Sequence, residues 1–278
     1  MKSIVTCCLL FIVAGCFEVS EKVSSSQIQT PNNYLWKGVF PKSIYISRDY
    51  KNIFCETGDS AKMHDFCNGS DASSGVRVTA LMADRWNELF VNYNFISLKE
   101  TVPNDFKDIF TSIGEVNKDG YNGIYTLTDT QWTASGFKES TLGVTVLIGK
   151  TNENRQYIIQ EGDILIGPSS EGYNLGTILL HEMGHFLGLQ HNESVERTQT
   201  VMYPYIGSSD VKQTPMSVDK QSLNRLYMVS GSIGQDSRRR EIPDGNGEEV
   251  RIVFELGADK NCRHLINGKL IETHKVDL

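Results

Sequence analysis

His181, Glu182, His185 and His191 are the residues whose types and spacing could do chemistry in this chain. They lie in the stretch His181-Glu182-Met183-Gly184-His185-Phe186-Leu187-Gly188-Leu189-Gln190-His191. His181 and His185 are one helical turn apart, so on a helix both imidazoles share a face and can reach one metal ion. Glu182 is not needed as a ligand. It sits beside the first one, where a carboxylate can take a proton from a water that the metal activates. Gly188 is the residue type that leaves a helix through the left-handed conformation, and the turn it makes lets His191 swing back as a third nitrogen ligand. Three protein ligands with one open position make a catalytic arrangement, whereas four closed ligands would be structural. Downstream, Met202 in Val201-Met202-Tyr203-Pro204 has no acid, base or nucleophile to offer. Its soft apolar side chain suits a floor beneath a cluster of imidazoles.

These side chains need elements to hold them. Asn174 is a good cap for a helix starting near Leu175, and Leu175, Ile178, Leu179, Met183, Phe186 and Leu187 give that helix a broad apolar face. Upstream, Ile44-Tyr45-Ile46 reads as a strand, and Gly75 to about Tyr93 as a helix, with Val76, Ala80, Leu81, Ala83, Trp86, Leu89 and Phe90 at three- and four-residue steps. Phe95–Leu98, Gly123–Leu127, Gly143–Ile148 and Asp163–Ile166 read as further strands. Asp119-Gly120-Tyr121-Asn122-Gly123 is turn-forming; its oxygen-bearing side chains could meet Ca²⁺, but too few lie together for an ion that wants six or more oxygens, so a plain turn is the reading. Val218 to Met228 reads as a short closing helix. Beyond it, residues 231–249 have the composition of a linker, in which Arg238-Arg239-Arg240 is solvated surface rather than a binding patch. Val250–Phe254 and the hairpin signal Leu265-Ile266-Asn267-Gly268-Lys269-Leu270-Ile271 make residues 250–278 a small β-rich extension.

The beginning of the chain bears on compartment. Lys2 precedes an apolar run from Ile4 to Ala14, too short to span a bilayer comfortably and suited to a signal peptide. Val13-Ala14-Gly15-Cys16 resembles a bacterial lipobox, which implies removal of residues 1–15 and a lipid on Cys16; the alternative is an ordinary secretory signal with Cys16 as an incidental thiol. Residues 16–35 then read as a Ser-rich polar tether. The expected location is the cell envelope: extracytoplasmic, lipid-anchored at the outer membrane or cell surface, with or without partial release. In such an oxidising space Cys55 and Cys67 are natural disulfide partners, although the third thiol of the mature chain, Cys262, leaves the pairing open.

The net charge of −7 argues against nucleic acid or anionic lipid as a partner. After processing, the remaining residues suffice for one domain with a large core.

The spacing H-E-x-x-H-x-x-G-x-x-H with a following Met is identified as the metzincin zinc-protease signature. The order strand, helix, four strands, motif helix, Met turn and closing helix resembles the matrixin-like branch over about residues 36–230, and Pro204 looks like the matrixin Met turn. The resemblance implies an α+β fold with a twisted, mostly parallel sheet, an active-site helix and a Met turn. It implies one catalytic zinc on His181, His185 and His191, Glu182 as general base, Met202 as floor, and a protein or peptide substrate. Asp163–Ile166 resembles the edge strand along which these enzymes bind an extended peptide. Residues 17–35 are too short for an inhibitory prodomain and carry no Cys to block a zinc. The remaining histidines, His64, His264 and His274, are too scattered to repeat the second, structural zinc site of animal matrixins. The expected activity is zinc-dependent endopeptidase; a surface-binding lipoprotein or adhesin on this fold, or a zinc amidase with a non-protein substrate, are the alternatives. Oligomeric state is not legible.

Overall fold

The computed structural model describes residues 33–51, 74–107, 119–227, 245, 247–258 and 261–275. Residues 1–15, Cys16, Cys55 and Cys67 lie outside the described residues, so the leader, the lipid anchor and the expected disulfide have no structural account. Among the described residues nine strands form one sheet: β1 (Asn33–Trp36), β2 (Lys42–Ile46), β3 (Ile96–Lys99), β4 (Gly123–Thr126), β5 (Thr141–Thr151), β6 (Gln156–Ile166), β7 (Glu249–Gly257), β8 (Asn261–Ile266) and β9 (Lys269–Lys275). The helices are α1 (Arg48–Lys51), α2 (Ser74–Asn87), α3 (Asp129–Ala134), α4 (Leu175–Phe186) and α5 (Ser217–Tyr227).

The sheet runs β3-β2-β4-β6-β5-β7-β8-β9, with β1 also paired to β6. Its two halves differ in direction. β3, β2, β4 and β6 are mutually parallel, and β1 joins β6 in parallel. From β6 onward, β5, β7, β8 and β9 pair antiparallel. Parallel neighbours need a long crossover, and α2 supplies one between β2 and β3. The antiparallel end turns through Asn267 (φ 49°) and Gly268 (φ 75°), the positive-φ pair expected of a two-residue primed turn. The architecture is therefore α+β with a mixed sheet, α4 and the Met turn, as the resemblance implied.

Three details depart from the sequence reading. The first is β1, which falls at the end of the segment read as a tether: Tyr34, Leu35 and Trp36 are buried, and the Trp36 indole donates to Phe186 O at the end of α4. The second concerns Asp163–Ile166, expected at the sheet edge. It is internal, with β5 on one side and β4 on the other. The run Ile164-Leu165-Ile166 has no exposed surface, and continuous apolar burial on both faces marks an interior strand. The third is that the C-terminal strands, read as an extension, continue the same sheet through β7 against β5.

The motif helix is wholly buried between the sheet and α2. A buried helix must satisfy its terminal carbonyls inside the protein. Trp36 takes Phe186 O and Tyr227 takes Leu187 O at 2.9 Å, while in mid-helix Trp86 of α2 donates to Leu180 O at 3.1 Å. At the other end the Asn174 side chain accepts from Thr177 N at 2.9 Å, the expected cap. On the opposite face of the sheet, Phe106, Tyr125, Leu127, Trp132, Phe137, Val144, Val146, Leu165 and Val253 make a second apolar cluster.

Candidate metal centre

His181 and His185 project from one face of α4, and both are fully buried. Gly188 follows at φ +91°, and a Cβ there would lie 2.2 Å from Tyr34 O, so glycine is required both by conformation and by space. The chain then turns back and returns His191 to the other two. His181 Nε2 stands 3.0 Å from His185 Nε2 and 3.3 Å from His191 Nε2. Among the described residues this is the cluster able to hold a metal ion.

The donor set fits a divalent cation of the zinc kind. The Nδ1 atoms of His181 and His185 each lie 2.7 Å from a carbonyl, Val201 O and Leu189 O respectively. Donation to those carbonyls fixes the tautomers and turns both Nε2 lone pairs toward one point. Burial, helped by the Lys212 charge and opposed by the Val201 carbonyl, drives the His181 pKa down to about 3, so its ring is neutral. Facing lone pairs of neutral rings repel, and a cation between them removes the conflict. Three nitrogens held about 2.0–2.1 Å from a tetrahedral ion stand roughly 3.3–3.4 Å apart, close to the spacing here.

Glu182 comes off the helix beside the triad and has no exposed surface. Thr145 of β5 donates to its Oε2 at 2.6 Å, while Oε1 has no hydrogen-bond partner among the described residues. A Cβ at Gly143 would stand 2.6 Å from Oε1, so the bare glycine on β5 makes room for the carboxylate. Burial, with the Glu255 charge adding and the Thr145 hydrogen bond opposing, pushes the Glu182 carboxyl up to about 8. A cation on the triad acts the other way, favouring the carboxylate.

Beneath the triad, Met202 packs against the helix: a Cβ at Gly184 would fall 2.2 Å from its Sδ. Asp219, in the first turn of α5 and buried, pins this segment. Its carboxylate accepts from Thr200 Oγ1, from Val201 N at 3.0 Å and from Met216 N at 2.7 Å. Met202 N in turn donates to Thr200 Oγ1 at 2.9 Å, which holds the peptide whose Val201 carbonyl orients His181.

The structure brings together every metal-site residue read from the sequence: His181, Glu182, His185, His191 and Met202. It adds Thr145, Gly143 and Asp219, which the sequence reading did not assign to the site. Asp219 was visible only as an acidic residue near a helix start, and Thr145 only as an alternate position on a strand.

Comparison with known proteins agrees with this geometry. The Matrixin family model matches residues 90–228, half of the 278-residue chain, with α4, the His191 loop, Met202 and α5 inside the match. The chain is 30% identical over 122 residues to metalloendoproteinase 5-MMP of Arabidopsis thaliana, covering 41% of this chain and 33% of that protein. It is 28% identical over 75 residues to metalloendoproteinase 1 of Glycine max, covering 27% and 24%. The chain thus spans about a quarter to a third of the length of these curated relatives. With the motif helix, the glycine turn, the third histidine and the methionine floor in one place, and the family model matched across all four, this chain belongs to the matrixin family.

Proposed function

We propose that this protein is a zinc-dependent endopeptidase, with His181, His185 and His191 holding the ion and Glu182 as general base. The observation that carries the reading is the Glu182 carboxylate, buried next in sequence to the first of three converging imidazoles, with one oxygen that has no hydrogen-bond partner among the described residues. A purely structural metal site has no use for such a group.

When bound, zinc supplies Lewis acidity that acidifies a water and polarises a carbonyl oxygen. The side chains do the rest. Thr145 fixes one oxygen of Glu182 and leaves Oε1 to accept the proton of the attacking water. The water oxygen adds to the carbonyl carbon, the C–N bond breaks, and Glu182 returns the proton to the departing amine nitrogen. Val201 O and Leu189 O hold the imidazoles in the tautomer that presents Nε2, and Asp219 holds Val201.

Protein or peptide is the substrate class that the family and the named relatives favour. The proposed location is extracytoplasmic, with a lipid on Cys16, on the strength of the apolar run and the Val13–Cys16 pattern. Chain 17–278 should bind one equivalent of zinc and digest casein or gelatin, and Glu182→Ala should keep the zinc and lose the digestion. Unchanged cleavage in that variant, or no metal in the parent, rules the mechanism out. Zinc with no proteolysis across a panel of proteins, in the intact chain and also after it is cut between α5 and β7, would favour a binding role. Fatty-acid labelling of the full chain should vanish in Cys16→Ala; label that persists would refute the anchor.

A further inference from the structure

Above the metal centre the chain lays one of its own strands. The outer edge of β5 is paired antiparallel by β7, in register from Gly143↔Leu256 to Lys150↔Glu249. At its end the same strand reaches the segment after Met202. Gly257 N donates to Pro204 O at 3.3 Å, Ile206 N donates to Gly257 O at 3.2 Å, and Tyr205 pairs with Gly257 in parallel. Ala258 N returns to Ser140 O at 2.7 Å, just before β5. One extended segment is therefore held by main-chain hydrogen bonds from two walls, antiparallel to one and parallel to the other. Those bonds read no side chain, so any extended peptide can make them, and specificity is left to alternate residues.

One residue of β7, Phe254, lies against the metal centre. The Phe254 ring lies on the His185 imidazole with centroids 4.2 Å apart and planes within 5°, and 6.1 Å from the His191 ring. His264 of β8 backs it at 4.5 Å, and the ring is 1% exposed. Beneath this strand Glu182, His181 and His185 have no exposed surface. A base that must meet water and a peptide carbonyl is closed off by the chain itself. Extending a sheet by one more strand would not require bonds to Pro204 and Ile206 across the site, nor an aromatic ring on a metal-ligand imidazole.

We infer that Glu249–Gly257 is an autoinhibitory strand, occupying the edge on which an extended peptide substrate would lie, with Phe254 in the apolar position beside His185. The inference rests on the endopeptidase reading. A tethered segment competes at an effective concentration on the order of 1 mM. Peptide at micromolar concentration meets only the fraction of molecules whose strand has left, and its apparent affinity falls by that fraction.

The test uses the full chain with a recognition sequence for an unrelated site-specific protease placed within residues 231–244, so that the link between α5 and β7 can be cut. Phe254→Ala in the uncut chain is the second variant. Zinc content, hydrolysis of a fluorogenic peptide and binding of a peptide hydroxamate are measured for each. The uncut chain should carry zinc yet cleave slowly and bind the hydroxamate weakly. Cutting, or Phe254→Ala, should raise both by at least about tenfold. A synthetic peptide of the sequence of residues 249–258 should reverse the gain. Equal hydroxamate binding in the uncut, cut and Phe254→Ala forms would overturn the strand proposal whatever the cleavage rates. Hydroxamate binding unlocked by cutting, with zinc bound and no hydrolysis in any form, would keep the strand as the occupant of the groove and sink the endopeptidase reading instead.

Discussion

Thr145 Oγ1 lies 2.6 Å from Glu182 Oε2 and 3.0 Å from the Glu182 carbonyl oxygen, tying strand β5 to the motif helix at the proposed base. One hydroxyl thus sets where the carboxylate points. In Thr145→Val the shape is kept and the hydroxyl lost, leaving a buried carboxylate with neither oxygen held. We expect kcat to fall by roughly ten- to a hundredfold with KM and zinc content little changed, since removal of a group that orients a general base costs rate rather than binding. Thr145→Ser should restore most of the rate. Val and Ser variants with equal activity would show that the hydrogen bond does not position the base.

Asp219 stands behind the metal ligands in the same way. Three groups donate to its carboxylate: Val201 N, on the residue whose carbonyl fixes His181, Met216 N, and Thr200 Oγ1, which itself accepts from the Met202 N–H of that carbonyl's peptide. Asp219→Ala takes this acceptor from two backbone donors, Val201 N, which is buried, and Met216 N, which is half-buried. The expected cost is about 2–4 kcal/mol of stability, at roughly 1–2 kcal/mol for each orphaned donor. Zinc affinity should drop about ten- to a hundredfold through the loosened carbonyl behind His181. Thermal unfolding and competition with a chelator measure the two effects. A stable variant with parental zinc affinity would refute the role.

A separate acidic cluster makes stability depend on pH. Burial raises the Glu161 carboxyl to about 7, with the Gly120 N–H opposing and Asp119 adding. The fully buried Asp163 is raised well above the usual carboxylate range, again by burial first and then by Glu161. Both groups hold protons in the folded state that the unfolded chain gives up near pH 4–4.5, so their contribution to stability is greatest below that pH. As pH rises toward 7, the unfolded chain binds fewer protons than the folded one, and stability falls. Glu161→Gln keeps an acceptor for Gly120 N and removes the titration. It should unfold at a higher temperature than the parent at pH 8, by on the order of 1 kcal/mol, and converge with it near pH 4. A difference that is the same at both pH values would contradict the assignment.

What could be read from the sequence follows from how local each feature is. The triad, Glu182, the Gly188 turn and the Asn174 cap all depend on spacings within one helix and the loop after it, and helical periodicity and glycine chemistry fix those. Met202 was legible for the same reason. Thr145 and Asp219 were not, because their partners lie some forty residues or fewer away across a sheet or loop, and a strand's two-residue period tells which face a side chain is on but not what it meets. The reading of Asp163–Ile166 as an edge failed on the same ground: a run apolar on both faces signals an interior strand, and the position of β5 and β7 outside it is a matter of topology. Trp36 and Tyr34 were placed next to a polar stretch whose composition hid a four-residue strand.

Gly188 is where conformation, packing and metal binding meet. Its φ of +91° is a region that residues with a Cβ rarely adopt, and the space a Cβ would fill is taken by Tyr34 O of β1 at 2.2 Å. Gly188→Ala therefore forces the chain to leave α4 differently or pushes β1 away from the helix. The strain is about 1–3 kcal/mol from the backbone alone, and the steric term adds to it. The loop displaced is the one that carries Leu189 O to His185 and returns His191 to the other two nitrogens. Zinc affinity should thus fall together with stability, and the loss should exceed that in Gly136→Ala, where φ is +77° but no described residue lies within 4 Å of the added methyl. Chelator competition on both variants separates the two cases. Equal zinc affinity in Gly188→Ala and the parent would show that His191 reaches the site without this turn.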